Sequence, residues 1–164
     1  MSVPDEGFAV TLFREGGQWQ CALLPPAVME DLDSCVAAVR QQPPDGGPIV
    51  LVDIEDEFFV AVRAGGEPGG RVRVLLSDAT AASEYPLAQQ VVDRLGEEIP
   101  DEDELDEIWP IGDLRMFEDL GLDEFELRAI LDDLDLYADE MLSALTHRIG
   151  LAEPYARAVD ILLR

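Results

Sequence analysis

Lysine is absent from this chain. Its 11 basic residues are all arginine, set against 36 aspartates and glutamates, for a formal net charge of −25 over 164 residues. Without lysine there is no side-chain amine for Schiff-base chemistry. Phosphate contacts need cationic surface, so this charge excludes a conventional binder of nucleic acid or of an anionic membrane. Histidine is almost missing too, with His147 alone. Cysteine is limited to Cys21 and Cys35, far apart and flanked by apolar residues. Both are expected to be reduced core residues on a strand and a helix. No window approaches the length of a membrane span, and the opening MSVPDEGFAV has no positive segment followed by an apolar run. A cytoplasmic location is the resulting expectation.

What is present is apolar and acidic. Hydrophobic residues make up 48% of the chain, enough for a globular core at this length despite the charge. Phe8 to Phe13 and Gln18 to Leu23 are β-rich runs separated by a turn containing Gly16 and Gly17, which predicts a hairpin. Leu32, Cys35, Val36 and Val39 then recur at helical spacing until PPDGGP at Pro43 to Pro48 ends the helix. Ile49 to Ile54 is an apolar run of strand length and the candidate central strand. Phe58 to Val62 and Val72 to Leu76 follow too closely for crossover helices, so the pairing is expected to be mostly antiparallel. Ser77 and Asp78 suit the start of a short turn through Ala82. Pro86 opens a helix carrying Leu87, Val91 and Leu95, which Gly96 ends.

The densest acid and the clearest helical signals come later. Asp123 is a good N-cap, Glu126 is placed as the return half of a capping box, and Leu122 and Leu127 occupy the positions of a hydrophobic staple. Leu127, Ile130, Leu131 and Leu134 give the helix one apolar stripe. After a break at Asp133 to Leu136, a second helix starts near Ala138. Asp139 and Glu140 lie in its first turn, His147 and Arg148 in its last, and Gly150 follows, so its charges complement the helix dipole. Tyr137, Met141, Leu142, Leu145 and Ile149 form its apolar face. A short helix near Asp113 to Leu120 and a last one opened by Pro154 complete the set. Phe117 and Phe125 suit a core or a homo-oligomeric contact equally.

Together these signals predict an α+β fold, a mostly antiparallel sheet with packing helices in the order ββαβββα over residues 1–96. An acidic linker at 97–108 separates it from a small all-α C-terminal module at 109–164, with helices only beyond Trp109.

Carboxylates are the one feature dense enough to hold chemistry. From Glu97 to Glu140 there are 19 acids and 2 arginines, a net of −17. Most such runs are solvated surface. A field this concentrated also attracts a basic protein surface. Asp132, Asp133 and Asp135 lack the glycine and closing glutamate of a calcium-binding EF-hand loop. AGGEPGG at Ala64 to Gly70 lacks the spacing and basic residue of a phosphate cradle and reads as a turn. His147, near a helix end, reads as a dipole partner.

FFVAVR, RVRVLLSDATAA and, above all, LGLDEFELRAILDDLDLYADEMLSALTHRIGL resemble the actinobacterial family of tRNA adenosine deaminase-associated proteins, over most of the chain. The resemblance implies association with a tRNA-specific adenosine deaminase. It supplies no catalytic residue. The chain is not itself the zinc deaminase, which needs a His or Cys and a CxxC pair to hold the metal; no CxxC occurs here. The expectation is therefore a non-enzymatic acidic interaction or regulatory protein with no cofactor and no assigned metal or catalytic residue. Its candidate partner-binding residues are Glu102, Asp106, Asp119, Asp132, Asp133 and Asp135, and its partner is a basic protein surface rather than nucleic acid or membrane. The alternatives are an enzyme of unrecognised type and a carboxylate-based metal-binding protein. The acidic face could recruit the partner or imitate nucleic-acid phosphate.

Overall fold

A computed structural model describes residues 6–67, 69–97 and 109–162. Six strands form one antiparallel sheet in the order β2-β1-β3-β4-β5-β6: β1 (Gly7–Glu15), β2 (Gln18–Leu23), β3 (Ile49–Ile54), β4 (Phe58–Ala64), β5 (Val72–Leu76) and β6 (Ile111–Gly112). Among the described residues five helices cover it: α1 (Leu32–Arg40), α2 (Pro86–Leu95), α3 (Glu124–Leu131), α4 (Ala138–Arg148) and α5 (Ala152–Leu162). The α+β class and the antiparallel sheet expected from the sequence are what the chain adopts.

Every residue of β3 and β4 is buried. The sheet is coated on both faces, so successive side chains of a central strand enter opposite cores. Val50, Val52, Val60, Val62 and Leu76 meet α1 and α2 on the first face. Phe8, Val10, Leu12, Ile49, Leu51, Phe59 and Leu75 meet Met116, Phe117 and α3 to α5 on the second. The described residues up to 96 thus supply five strands and the first coat, while 109–162 supply β6 and the second coat.

One strand falls where the sequence pattern leads to helices alone. Ile111–Gly112 pairs with Leu76 and Leu75 beyond Trp109. Two residues carry no period to read. The pairing needs Gly112, whose φ is +111° and where an added Cβ would lie 2.2 Å from the Val74 carbonyl oxygen. The predicted short helix near Asp113 to Leu120 is a series of turns ending in a 3-10 turn at Glu118–Leu120. Pro154 is the third residue of α5 rather than its first. Among the described residues, no helix is long and apolar enough to cross a membrane.

Arg63 is the anchor between the sheet and the second coat. It is 1% exposed, on the β4 face that looks toward Met116. Its Nε donates to the Gly47 carbonyl at 3.1 Å and Nη2 to the Gly46 carbonyl at 2.8 Å; Nη1 donates to the Met116 carbonyl. Both terminal nitrogens also reach the Asp119 carboxylate, at 2.6 and 2.8 Å. The planar fork satisfies several acceptors at once, which a lysine would not.

Candidate functional site

The helical coat is held in register by a tight turn. β3 and β4 are joined through Glu55 and Asp56, both left-handed, at φ 51° and 60°. Two positive φ values in succession suit a hairpin turn of this hand, but asparagine and glycine are the usual occupants. Asp56 repays the strain by capping α4 from outside. Its Oδ1 accepts from the Asp139 amide at 2.9 Å, and its carbonyl accepts from the Ala138 amide at 3.4 Å. Those are orphan donors of a helix N-terminus whose own cap position is Tyr137. The turn is braced in turn by Asp53, whose Oδ1 accepts from the Asp56 amide at 2.8 Å.

Asp53 is wholly buried, and its Oδ2 has no hydrogen-bond partner. Burial, with the nearby charges of Asp56 and Asp139 adding to it, pushes its carboxyl up to about 7 despite the Asp56 amide, which opposes the rise. Asp139 is raised to about 6 by burial and by its contact with Asp56. Burial also raises Tyr155, on the α5 side of this cluster.

The sequence candidates divide. Asp119 faces inward to Arg63; burial alone would raise its carboxyl, but the Arg63 hydrogen bonds and charge prevail and lower it. It is thus the structural partner of a buried cation, although its side chain remains partly exposed. Asp132, Asp133 and Asp135 are exposed and close together at the end of α3 and in the turn that follows. Asp133 shapes that turn by accepting from the Asp135 amide at 3.0 Å. Glu102 and Asp106, with nearly all of the acidic linker, lie outside the described residues.

Three apolar residues of the helical half are exposed, and two of them, Leu134 and Tyr137, sit where the sequence pattern places buried side chains. Phe125 is 83% exposed, whereas Phe117 is fully buried, so only Phe117 belongs to the core. Leu134, expected on the buried stripe of α3, is 80% exposed because the helix stops at Leu131 and the chain turns away. Tyr137, expected on the apolar face of α4, is its N-cap and is 67% exposed. The Asp123 cap forms as expected, accepting from the Glu126 amide at 2.8 Å. The Glu126 carboxylate, however, pairs with Arg148 across to α4.

Between α3 and α4 this leaves a shallow groove of about 340 Å³, lined by Phe125, Ala129, Ile130, Ala144, His147 and the Glu126–Arg148 pair. Phe125 and Ala129 lie one helical turn apart on α3, and Asp132 and Asp133 follow just past its end. The arrangement is an exposed apolar anchor with carboxylates at its end. Among the described residues, no three His, Cys, Asp or Glu side chains gather as a metal-ligand set. Cys21 and Cys35 are free thiols, and burial raises both to about 12, far from the range of a reactive thiolate.

The comparisons with known proteins agree on one family. Residues 7–152 match the model of the Rv3753c-like tRNA adenosine deaminase-associated proteins. The chain is 41% identical to protein Rv3753c of Mycobacterium tuberculosis (strain ATCC 25618 / H37Rv) over 161 residues, covering 97% of this chain and 91% of that one. No solved structure matches it. The acidic two-coated sheet with its exposed α3–α4 face is thus carried by a chain that belongs to the Rv3753c-like tRNA adenosine deaminase-associated protein family.

Proposed function

We infer that this chain is a non-enzymatic, cytoplasmic interaction protein that docks its α3–α4 face on a basic protein surface. The tRNA adenosine deaminase of the family's description is the partner. The observation that carries the reading is Phe125, a large apolar side chain left 83% exposed beside a groove and next to a carboxylate-rich turn. A phenylalanine held in water forgoes the burial energy it would gain in a core, about 25 cal/mol per Å² of apolar surface. Partner contact recovers it. Asp132, Asp133 and Asp135 form the acidic end of the surface, and Glu102 and Asp106 extend the acid along the sequence. A surface built to attract tRNA is basic, so these carboxylates complement it while repelling tRNA itself.

Titration of purified deaminase with this protein at low and at physiological salt tests the reading. Binding is expected to weaken as salt rises, because rim charges are screened within a Debye length of about 8 Å at physiological ionic strength. Adding tRNA distinguishes two forms of docking: competition means that the acidic face occupies the tRNA site, and a ternary complex means recruitment beside it. No binding at either salt removes the deaminase as direct partner.

A further inference from the structure

The arginines of this chain are not scattered. Of the ten described, Arg14, Arg63, Arg73, Arg115, Arg148 and Arg157 have a carboxylate within 4.0 Å. With 36 acids for 11 arginines, near-complete pairing is what chance and Coulomb attraction would both produce. Arg40, Arg71, Arg94 and Arg128 have no ion pair among the described residues, and the first three line one groove together with Arg73.

That groove lies at the far edge of the sheet, away from the α3–α4 face. β6 pairs only with Leu75 and Leu76, which leaves the start of β5 as an open sheet edge. Arg71 and Arg73 rise from this strand and its approach, Arg40 ends α1 and Arg94 sits in the last turn of α2. Val72, Val74 and Leu95 give the groove apolar walls, and its volume is about 630 Å³. Two acids, Glu97 and Asp113, also line it, and Asp113 pairs with Arg73 at 3.7 Å. Helix dipoles account for an arginine at the ends of α1 and α2, each end being worth about half a negative charge. They do not account for Arg73, which belongs to β5, or for Arg71, which immediately precedes it. After both acids and both dipoles are counted, the groove stays positive on a molecule of net charge −25.

We propose that this groove binds a small phosphorylated molecule, with its di- or triphosphate group among Arg40, Arg71 and Arg94 and its less polar body against Val72, Val74 and Leu95. Guanidinium forks suit phosphate oxygens, which they engage in bidentate pairs, and the volume is that of a small-ligand site. A long polyanion fits worse, because beyond the groove it would run along strongly acidic surface.

Calorimetric titration of the full chain with inorganic triphosphate, ATP and inorganic phosphate tests this, with melting curves read in parallel. Triphosphate and ATP are expected to bind and to raise the melting temperature, phosphate much more weakly, and ATP more tightly than triphosphate if the apolar wall holds the organic body. Arg40→Gln, Arg71→Gln and Arg94→Gln each remove charged hydrogen bonds and are expected to weaken triphosphate by about tenfold or more. Arg128→Gln, unpaired but on α3, is the control and should leave it unchanged. All four side chains are exposed, so the fold survives these changes. Equal losses in the control would reduce the effect to overall charge and overturn the site. So would no binding at millimolar triphosphate, which would mean that the groove's charge is met within the chain. A short single-stranded RNA that binds more tightly than ATP through the same arginines would overturn the small-ligand assignment.

Discussion

Both faces of the sheet bury a cluster of apolar side chains, and the two differ in what else they hold. The first, under α1 and α2, is closed by Val, Leu and Ala side chains whose spacing alone explains their place. Among the described residues the second carries both of the fully buried charged side chains, Asp53 and Arg63, on the same face as the apolar Leu51 and Ala61. It also carries the coat whose outer surface exposes Phe125, Leu134 and Tyr137. Apolar burial is non-directional and fixes no register. A guanidinium fork or a carboxylate cap tolerates one geometry. The second coat is thus the one whose position on the sheet is specified by directed bonds, and it is the one that presents the candidate docking face.

Removing the directed bonds should cost most. Arg63→Met is expected to lower stability by about 3 to 5 kcal/mol, since it strands the Gly46, Gly47 and Met116 carbonyls and the Asp119 carboxylate together. Denaturant unfolding measures it. A change below about 1 kcal/mol would put the clamp outside the account.

Cavities come next and bear on whether the molecule is one folding unit. Leu131→Ala under the second coat and Leu87→Ala under the first should each cost about 2 to 5 kcal/mol, with a single transition seen by every probe. Asp132→Asn, one residue from Leu131 but exposed, should stay within about 0.5 kcal/mol of the parent. Two separate melts, each sensitive to only one of the leucine changes, would make 97–108 a boundary between independent units.

Much of this fold is legible in the sequence, and what is not has a common cause. The strands at Ile49–Ile54 and Val72–Leu76, the helix opened by Pro86 and closed by Gly96, and the Asp123 cap are all local signals, set by neighbours within a few residues. The Asp56 cap on α4 spans 83 positions and the Arg63–Asp119 pair 56. No window holds both partners of either. Asp119 consequently looks like one more surface acid, Leu134 looks like core, and Phe125 looks like core or contact alike. At the candidate site the sequence points to Asp132, Asp133 and Asp135 because they are a run, and it leaves Phe125 between core and contact because exposure is not a property of a residue type.

A smaller effect, in pH, separates the two faces again. The carboxyl of Asp53 moves from 3.8 to about 7 on folding, so between those values the folded state holds a proton that the unfolded state has released. The contribution is fully favourable below about pH 3.8, erodes as pH rises and stops changing above about 7. At about 1.4 kcal/mol per pKa unit the loss amounts to a few kcal/mol at most. Asp53→Asn keeps the acceptor for the Asp56 amide and removes the titration. Its melting temperature should gain on the parent's progressively from pH 4 to pH 7. A constant difference across that range would contradict the burial argument.

Smallest of all in stability, and largest in meaning, is Phe125→Ala, expected to change folding by no more than about 0.5 kcal/mol because the side chain is exposed. Its part is in docking. The direct measurement is the association and dissociation kinetics of the parent, Phe125→Ala, and the triple variant Asp132→Asn, Asp133→Asn, Asp135→Asn with immobilised tRNA adenosine deaminase, at low and physiological salt. The α3–α4 docking account predicts that Phe125→Ala loses about 2 kcal/mol of affinity, mostly through faster dissociation. It predicts that the triple variant associates more slowly at low salt and converges on the parent as salt rises. Binding of both variants indistinguishable from the parent's would contradict it.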